Sequence, residues 1–279
     1  MIPVAFDYER AATVDQALGL LAEHGDEAKL IAGGHSLLPL MKLRLATPAV
    51  LIDIAGITHL DYVREDGDEI AIGALTRHHT VNTSALLARE VPLLAHAAGQ
   101  VGDPQVRHRG TIGGSLVHGD PASDLPAVLL ALGARVVVTG PDGERTVDAS
   151  DLFTGFLETA VGEDELLTEI RVPRLAGLGW SFQKFTQRAC DWAIVGVAAQ
   201  AGVPGGGRGA GVALVNMGAT PLRATAVEGA LADGADEAEA AALAAEGTEA
   251  PGDLNASPEF REHLARVLVR RALDEAASR

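Results

Sequence analysis

Two glycine pairs, each running into an apolar stretch, constrain this chain more than any other feature. The first is Ala32-Gly33-Gly34-His35-Ser36, followed by Leu37-Leu38-Pro39-Leu40-Met41. The second is Gly110-Thr111-Ile112-Gly113-Gly114-Ser115, followed by Leu116-Val117. Glycine lets the main chain approach a phosphate without a Cβ in the way, and consecutive amides can form an anion nest. A helix N-terminus behind such a loop adds a favourable dipole. One Gly-Gly pair is usually an ordinary turn. Two matched loops carrying the hydroxyls of Ser36, Thr111 and Ser115 suit a ligand with two phosphates. Neither loop has the lysine of a P-loop, and neither reads Gly-x-Gly-x-x-Gly. An ATPase or a Rossmann dinucleotide domain is therefore disfavoured.

The rest of the composition narrows the function further. At 279 residues and 47% hydrophobic, the chain can build two or three packed units. Aromatics are only 4%, so the cores must come from Val, Leu, Ile and Ala. The formal net charge of −16 argues against nucleic-acid binding, which needs a basic face. Residues Met1 to Arg10 lack the basic and apolar regions of a signal peptide. The most apolar stretch, Leu125 to Thr139, is interrupted by Gly133 and Arg135 and is too short to span a bilayer. A soluble cytoplasmic protein is the expectation. Cys190 is the only cysteine, so this chain alone forms no disulfide and holds no iron–sulfur cluster.

Along the chain, Thr13 and Gln16 read as a capping box before a helix with Val14, Ala17, Leu18 and Leu21 on one face, stopped at Gly25. Strands are expected at Lys29 to Ala32, Val50 to Ile54 and Glu69 to Ala74. Val81 to Gly99 reads as two helical pieces broken at Pro92, and Gly110 to Gly114 as a loop. Asp124 reads most simply as the N-cap of a helix to Leu132, ended by Gly133. Arg135 to Thr139 and Arg145 to Asp148 form a hairpin around Pro141-Asp142-Gly143. A strand at Leu166 to Val172 closes this region. After a boundary near Leu175 to Gly179, three strands follow: Ser181 to Thr186, Ala193 to Gln200 and Ala210 to Met217. A Gly-rich turn, Gly205 to Gly211, separates the last two. Beyond Arg223 the chain is Ala- and Glu-rich and helical.

Taken together, these segments resemble the FAD-binding subunit, or FAD domain, of the molybdenum hydroxylases of the aerobic carbon monoxide dehydrogenase and xanthine dehydrogenase type. The resemblance is carried by the two glycine loops, by Asp120-Pro121-Ala122-Ser123-Asp124, by Glu165-Leu166-Leu167, by the Phe182 to Trp192 stretch and by Thr220-Pro221-Leu222-Arg223-Ala224. It implies an α+β fold: a two-part FAD-binding unit of the vanillyl-alcohol oxidase (PCMH) type, at residues 1–57 and 58–176, and a C-terminal antiparallel sheet-and-helix domain at 177–279. It also implies a site. Ala32, Gly33, Gly34, His35, Ser36 and Leu37, with Thr111, Ile112, Gly113, Gly114 and Ser115, would embrace the FAD pyrophosphate. Asp124 would contact FAD, in keeping with its capacity to bond ribityl hydroxyls. Leu167 (or Leu166) and Lys184 would lie near the flavin ring, where Lys184→Ala is expected to lower the flavin potential. Some relatives have tyrosine where Trp192 stands.

The implied partners are a molybdenum-cofactor large subunit, a [2Fe-2S] small subunit and an electron acceptor such as NAD, a quinone or O2. Two other readings compete: a stand-alone FAD-dependent oxidoreductase, and a scaffold subunit that has lost FAD. The intact glycine loops argue against the second. His78-His79 is a poor chelate, because adjacent strand residues face opposite ways, and reads as a solvated loop pair. Arg107 and Arg109 would offset phosphate charge, face an iron–sulfur partner or remain a solvated pair. His118 would lie near the flavin or on the surface.

Overall fold

The computed structural model describes residues 2–203 and 209–279. Three sheets organise them. The first is a small parallel sheet in the order Asp7–Arg10, Val50–Asp53, Ala28–Ile31. Helix Val14–His24 covers it, turning Ala17 and Leu21 inward. Thr13 caps that helix by accepting from the Gln16 amide at 3.2 Å. The Gln16 side chain reaches back to the Ala12 amide rather than to Thr13, so the reciprocal bond falls one residue early.

The second sheet is antiparallel, in the order Val63–Asp66, Glu69–Gly73, Leu166–Pro173, Arg135–Gly140, Gly143–Asp148. The long central strand carries a register shift between Leu167 and Glu169. The hairpin around Pro141-Asp142-Gly143 forms as its turn residues require, with Gly143 at φ 105°. The third sheet is also antiparallel: Trp180–Phe185, Val195–Gln200, Gly211–Val215, Leu222–Arg223. The 21-residue helix Pro258–Ser278 packs across its first two strands. The expected Gly205 to Gly211 turn lies largely outside the described residues.

Helix Asp124–Leu132 joins these layers. Every residue of it is buried, and it packs against the third sheet as well as the central strand of the second. Its apolar run is therefore core. Each buried Leu or Val contributes about 1.5–3 kcal/mol of transfer free energy. The same core continues into Phe182, Ala198 and Ala213 of the third sheet. Glycine makes that junction possible: a Cβ on Gly211 would fall on the carbonyl of Ala131, the penultimate residue of the helix. Among the described residues, no helix is long and apolar enough to cross a membrane.

Several local expectations need correction. The segment expected to form two helical pieces forms three: His78–Thr83, Ala85–Glu90 and Pro92–Gly99. Pro92 does start a helix, and Ser84 makes the extra break by capping the Leu87 amide. Gly110 to Gly114 is not a loop throughout. Thr111 is an N-cap, and Ile112–His118 is helical from there. Asp124 is not a cap either. Ser123 holds the N-cap position without a side-chain bond, and Asp124 is the first helical residue. Beyond Arg223 the helices Thr225–Asp233, Glu237–Ala242 and Pro258–Ser278 are interrupted between residues 243 and 257.

Candidate functional site

The two glycine loops, almost eighty residues apart in sequence, meet in space. Gly33 lies against the main chain of Arg109 and Gly110, so closely that a Cβ on Gly33 would overlap the Arg109 carbonyl oxygen. Gly113 lies close to the strand end at Ala74, where a Cβ would come within 2.7 Å of the Ala74 carbonyl oxygen. These glycines are therefore required by the protein's own packing. From the sequence alone their small size is expected to serve the approach of a phosphate.

Together the loops line one cleft of about 570 Å³. Of the residues expected at the site, Ala32, Gly33, Gly34, His35, Ser36, Leu37, Thr111, Gly113, Gly114, Ser115, Asp124, Leu167 and Lys184 all line it. Ile112 does not. It is fully buried in the main core, and its amide donates to the Thr76 carbonyl at 2.9 Å. The cleft also has apolar walls that sequence reasoning missed, Leu75, Val101, Val106 and Leu157. These come from separate segments with no shared motif.

The loops are not equivalent in their hydrogen bonding. Among the described residues, the amides from Gly33 to Leu37 donate to nothing in the chain, and the Ser36 hydroxyl caps nothing. Most amides of the second loop are taken up by the protein itself. The Gly113 amide donates to Ala74 at 2.9 Å, and the Gly114 amide donates to the Thr111 hydroxyl at 3.2 Å. A nest of free amides exists at the first loop only. The second loop supplies a close-packed wall.

Deeper in the cleft, the Lys184 ammonium donates to Asp124 Oδ2 at 2.7 Å and to the Gln100 carbonyl at 3.1 Å. Both side chains of this ion pair are 6% exposed. Lys184 is thus neither a surface lysine nor a free cation. Burial pushes the Asp124 carboxyl up to about 6 despite the opposing effect of Lys184. Its second oxygen, Oδ1, is buried without a partner. His78, expected as a solvated loop residue, is buried and lines the cleft. Trp192 stands at the cleft and is 59% exposed. Cys190 beside it is exposed, at φ 70°.

The cleft fits a dinucleotide cofactor on three counts. It offers a run of unbonded amides, apolar walls, and an unpartnered buried carboxylate oxygen to receive a hydroxyl. Fold and cleft together define a flavoprotein subunit. Residues 4–175 match the FAD binding domain in molybdopterin dehydrogenase, and residues 180–276 match the CO dehydrogenase flavoprotein C-terminal domain. The chain belongs to the family of FAD-binding medium subunits of the molybdenum hydroxylases. It is 41% identical to the carbon monoxide dehydrogenase medium chain of Hydrogenophaga pseudoflava, over 100% of this chain and 99% of that one. It is 39% identical to the 6-hydroxypseudooxynicotine dehydrogenase complex subunit alpha of Paenarthrobacter nicotinovorans, over 100% of this chain and 97% of that one. A solved structure of carbon monoxide dehydrogenase from Hydrogenophaga pseudoflava matches with a TM-score of 0.96 at 42% identity, covering 100% of this chain and 99% of that chain.

Proposed function

We propose that this chain is the electron-transferring FAD subunit of a three-component molybdenum hydroxylase complex, working beside a molybdenum-cofactor large subunit and a [2Fe-2S] small subunit. Its compartment is the cytoplasm. The observation that carries the reading is the meeting of the two glycine loops in one cleft, with free amides along Gly33 to Leu37 and the Asp124–Lys184 pair deeper in. FAD supplies a centre that accepts electrons singly and releases them singly or in pairs, which suits a relay from an iron–sulfur subunit to NAD, a quinone or O2.

The chain's own residues bind and orient. The amides of Gly33 to Leu37 and the Ser36 hydroxyl would hold the diphosphate. Asp124, whose Oδ1 is free, would hold a hydroxyl of the cofactor's ribityl chain, and Lys184 keeps that carboxylate aimed by gripping its other oxygen. Leu167 and the apolar walls would exclude water from the ring. A single exposed cysteine leaves the clusters to the partners.

The units proposed are residues 1–57, 58–176 and 177–279. In support, each contains one of the three larger sheets.

Spectroscopy tests the reading directly. Purified chain should bind one FAD per chain with visible flavin absorption, and should co-purify with two partner subunits from its native source. A folded chain that takes up no FAD would reject it. A chain that oxidises a substrate directly without partners would favour the stand-alone oxidoreductase.

A further inference from the structure

We propose that His78 is a neutral hydrogen-bond donor to the cofactor's diphosphate, reaching it from the seam between the two glycine loops; this rests on the FAD reading above. The ring is 4% exposed and lines the same cleft as Gly33, Gly110 and Thr111. The main chain fixes it there. The His78 amide donates to the Gly110 carbonyl at 3.0 Å. The missing Cβ of Gly110 makes room for the imidazole, since such an atom would come within 2.8 Å of ring Cδ2 and 3.0 Å of Nε2.

The two ring nitrogens differ. Nδ1 is buried and has no hydrogen-bond partner. Nε2 is not sealed off in this way, and the ring as a whole lines the cleft. A neutral imidazole carries one N–H, and a buried N–H with no acceptor is among the rarest features of folded proteins. The proton therefore sits on Nε2 and faces the cleft, and Nδ1 keeps a bare lone pair. An imidazolium would bury a second N–H with nothing to receive it.

The surroundings agree. Burial, reinforced by His35 and Arg107, pushes the ring's pKa down to about 4. His35 belongs to the first loop and Arg107 to helix Pro104–Arg109. The other helices packed on His78–Thr83 bring no charge to the ring. His96 of Pro92–Gly99 lies against Trp180, and Arg89 and Glu90 of Ala85–Glu90 pair with each other and with Glu65 and Arg174. His79, the neighbour in sequence, stacks on His108 instead.

The test titrates the purified, cofactor-free chain with FAD, ADP and riboflavin by calorimetry. His78→Phe should weaken FAD and ADP at least about tenfold, the equivalent of one hydrogen bond to a charged group, and leave riboflavin unchanged. His78→Gln keeps an N–H near the Nε2 position and should retain most of the affinity. Independently of any variant, nitrogen-15 NMR of the wild-type ring should show Nε2 protonated and Nδ1 bare from about pH 8 to about pH 5. A folded His78→Phe chain with unchanged FAD affinity, an equal loss for riboflavin, or a proton on Nδ1 would each overturn the assignment while leaving the FAD reading intact. A wild-type chain that binds neither FAD nor ADP overturns both.

Discussion

Lys184 and Asp124, sixty residues apart, form an ion pair at 2.7 Å with both side chains buried against the cleft. This changes what Lys184 can do to a bound flavin. From the sequence, Lys184 is expected to be a cation whose loss lowers the flavin potential. In the structure its charge is already balanced. Asp124 titrates at about 6 even with Lys184 beside it, so removing the lysine leaves the carboxyl protonated at neutral pH. The pair is net neutral before and after. Lys184→Ala should therefore shift the flavin midpoint potential by less than about 30 mV, the equivalent of about 1.4 kcal/mol for two electrons. Asp124→Asn leaves an unbalanced ammonium and should raise the potential more. Spectroelectrochemical titration of the two variants checks the order; a large fall in Lys184→Ala would mean that the lysine acts as a free charge.

The same carboxyl gives a stability signature. Its folded value lies above the ordinary 3.8 because burial penalises the charged form. A raised carboxylate contributes stability that is fully present below about 3.8 and is lost as pH rises through about 6. A displacement of this size corresponds to about 3 kcal/mol. The destabilisation caused by Asp124→Asn should therefore shrink by roughly that amount between about pH 4 and about pH 7, and change little above. Urea unfolding of wild type and variant at matched pH values measures it. A difference independent of pH would show that burial does not raise the folded value of Asp124.

The loop glycines make a separate prediction. Because Gly33 faces the Arg109 carbonyl and Gly113 faces Ala74, alanine at either position strains the fold before any cofactor arrives. Each variant should lose about 1–3 kcal/mol in the cofactor-free chain. At Gly114 a Cβ meets only the Thr111 hydroxyl, at 2.8 Å, which is the atom that caps the helix. Gly114→Ala should cost about 1 kcal/mol, as Thr111→Ala should. Thermal melts of cofactor-free protein separate these effects. Full stability in Gly33→Ala would return that glycine to a purely ligand-facing role.

What the sequence made legible was whatever is encoded locally. The cap at Thr13, the helix start at Pro92 and the hairpin at Pro141-Asp142-Gly143 all follow from the conformational preferences of a few adjacent residues. The first glycine loop was legible for the same reason. The helices at His78–Thr83 and Ile112–His118 were not, because each is a short, weakly helical segment fixed by contacts at its ends. The Asp124–Lys184 pair was not legible as a pair, since nothing in either segment encodes a partner sixty residues away. The divided labour of the loops was also hidden. Whether an amide is free depends on carbonyls at Ala74 and Thr76 that only the fold brings near.

Arg261 supplies the last prediction. It is fully buried in helix Pro258–Ser278, where its guanidinium binds the Ile194 carbonyl and pairs with Asp253 at 2.7 Å. Asp253 is 44% exposed, so water can solvate it if the arginine is removed. The Ile194 carbonyl would be left unpaired, at a cost of about 1–3 kcal/mol. Arg261→Ala adds a cavity to that loss and should destabilise the chain by about 4 kcal/mol in all. Arg261→Met fills most of the volume but offers no donor, and should cost about 2 kcal/mol. Denaturant unfolding of both variants decides whether the bond to Ile194 or the packing dominates. If methionine is as damaging as alanine, the carbonyl bond is what ties the last helix to the third sheet.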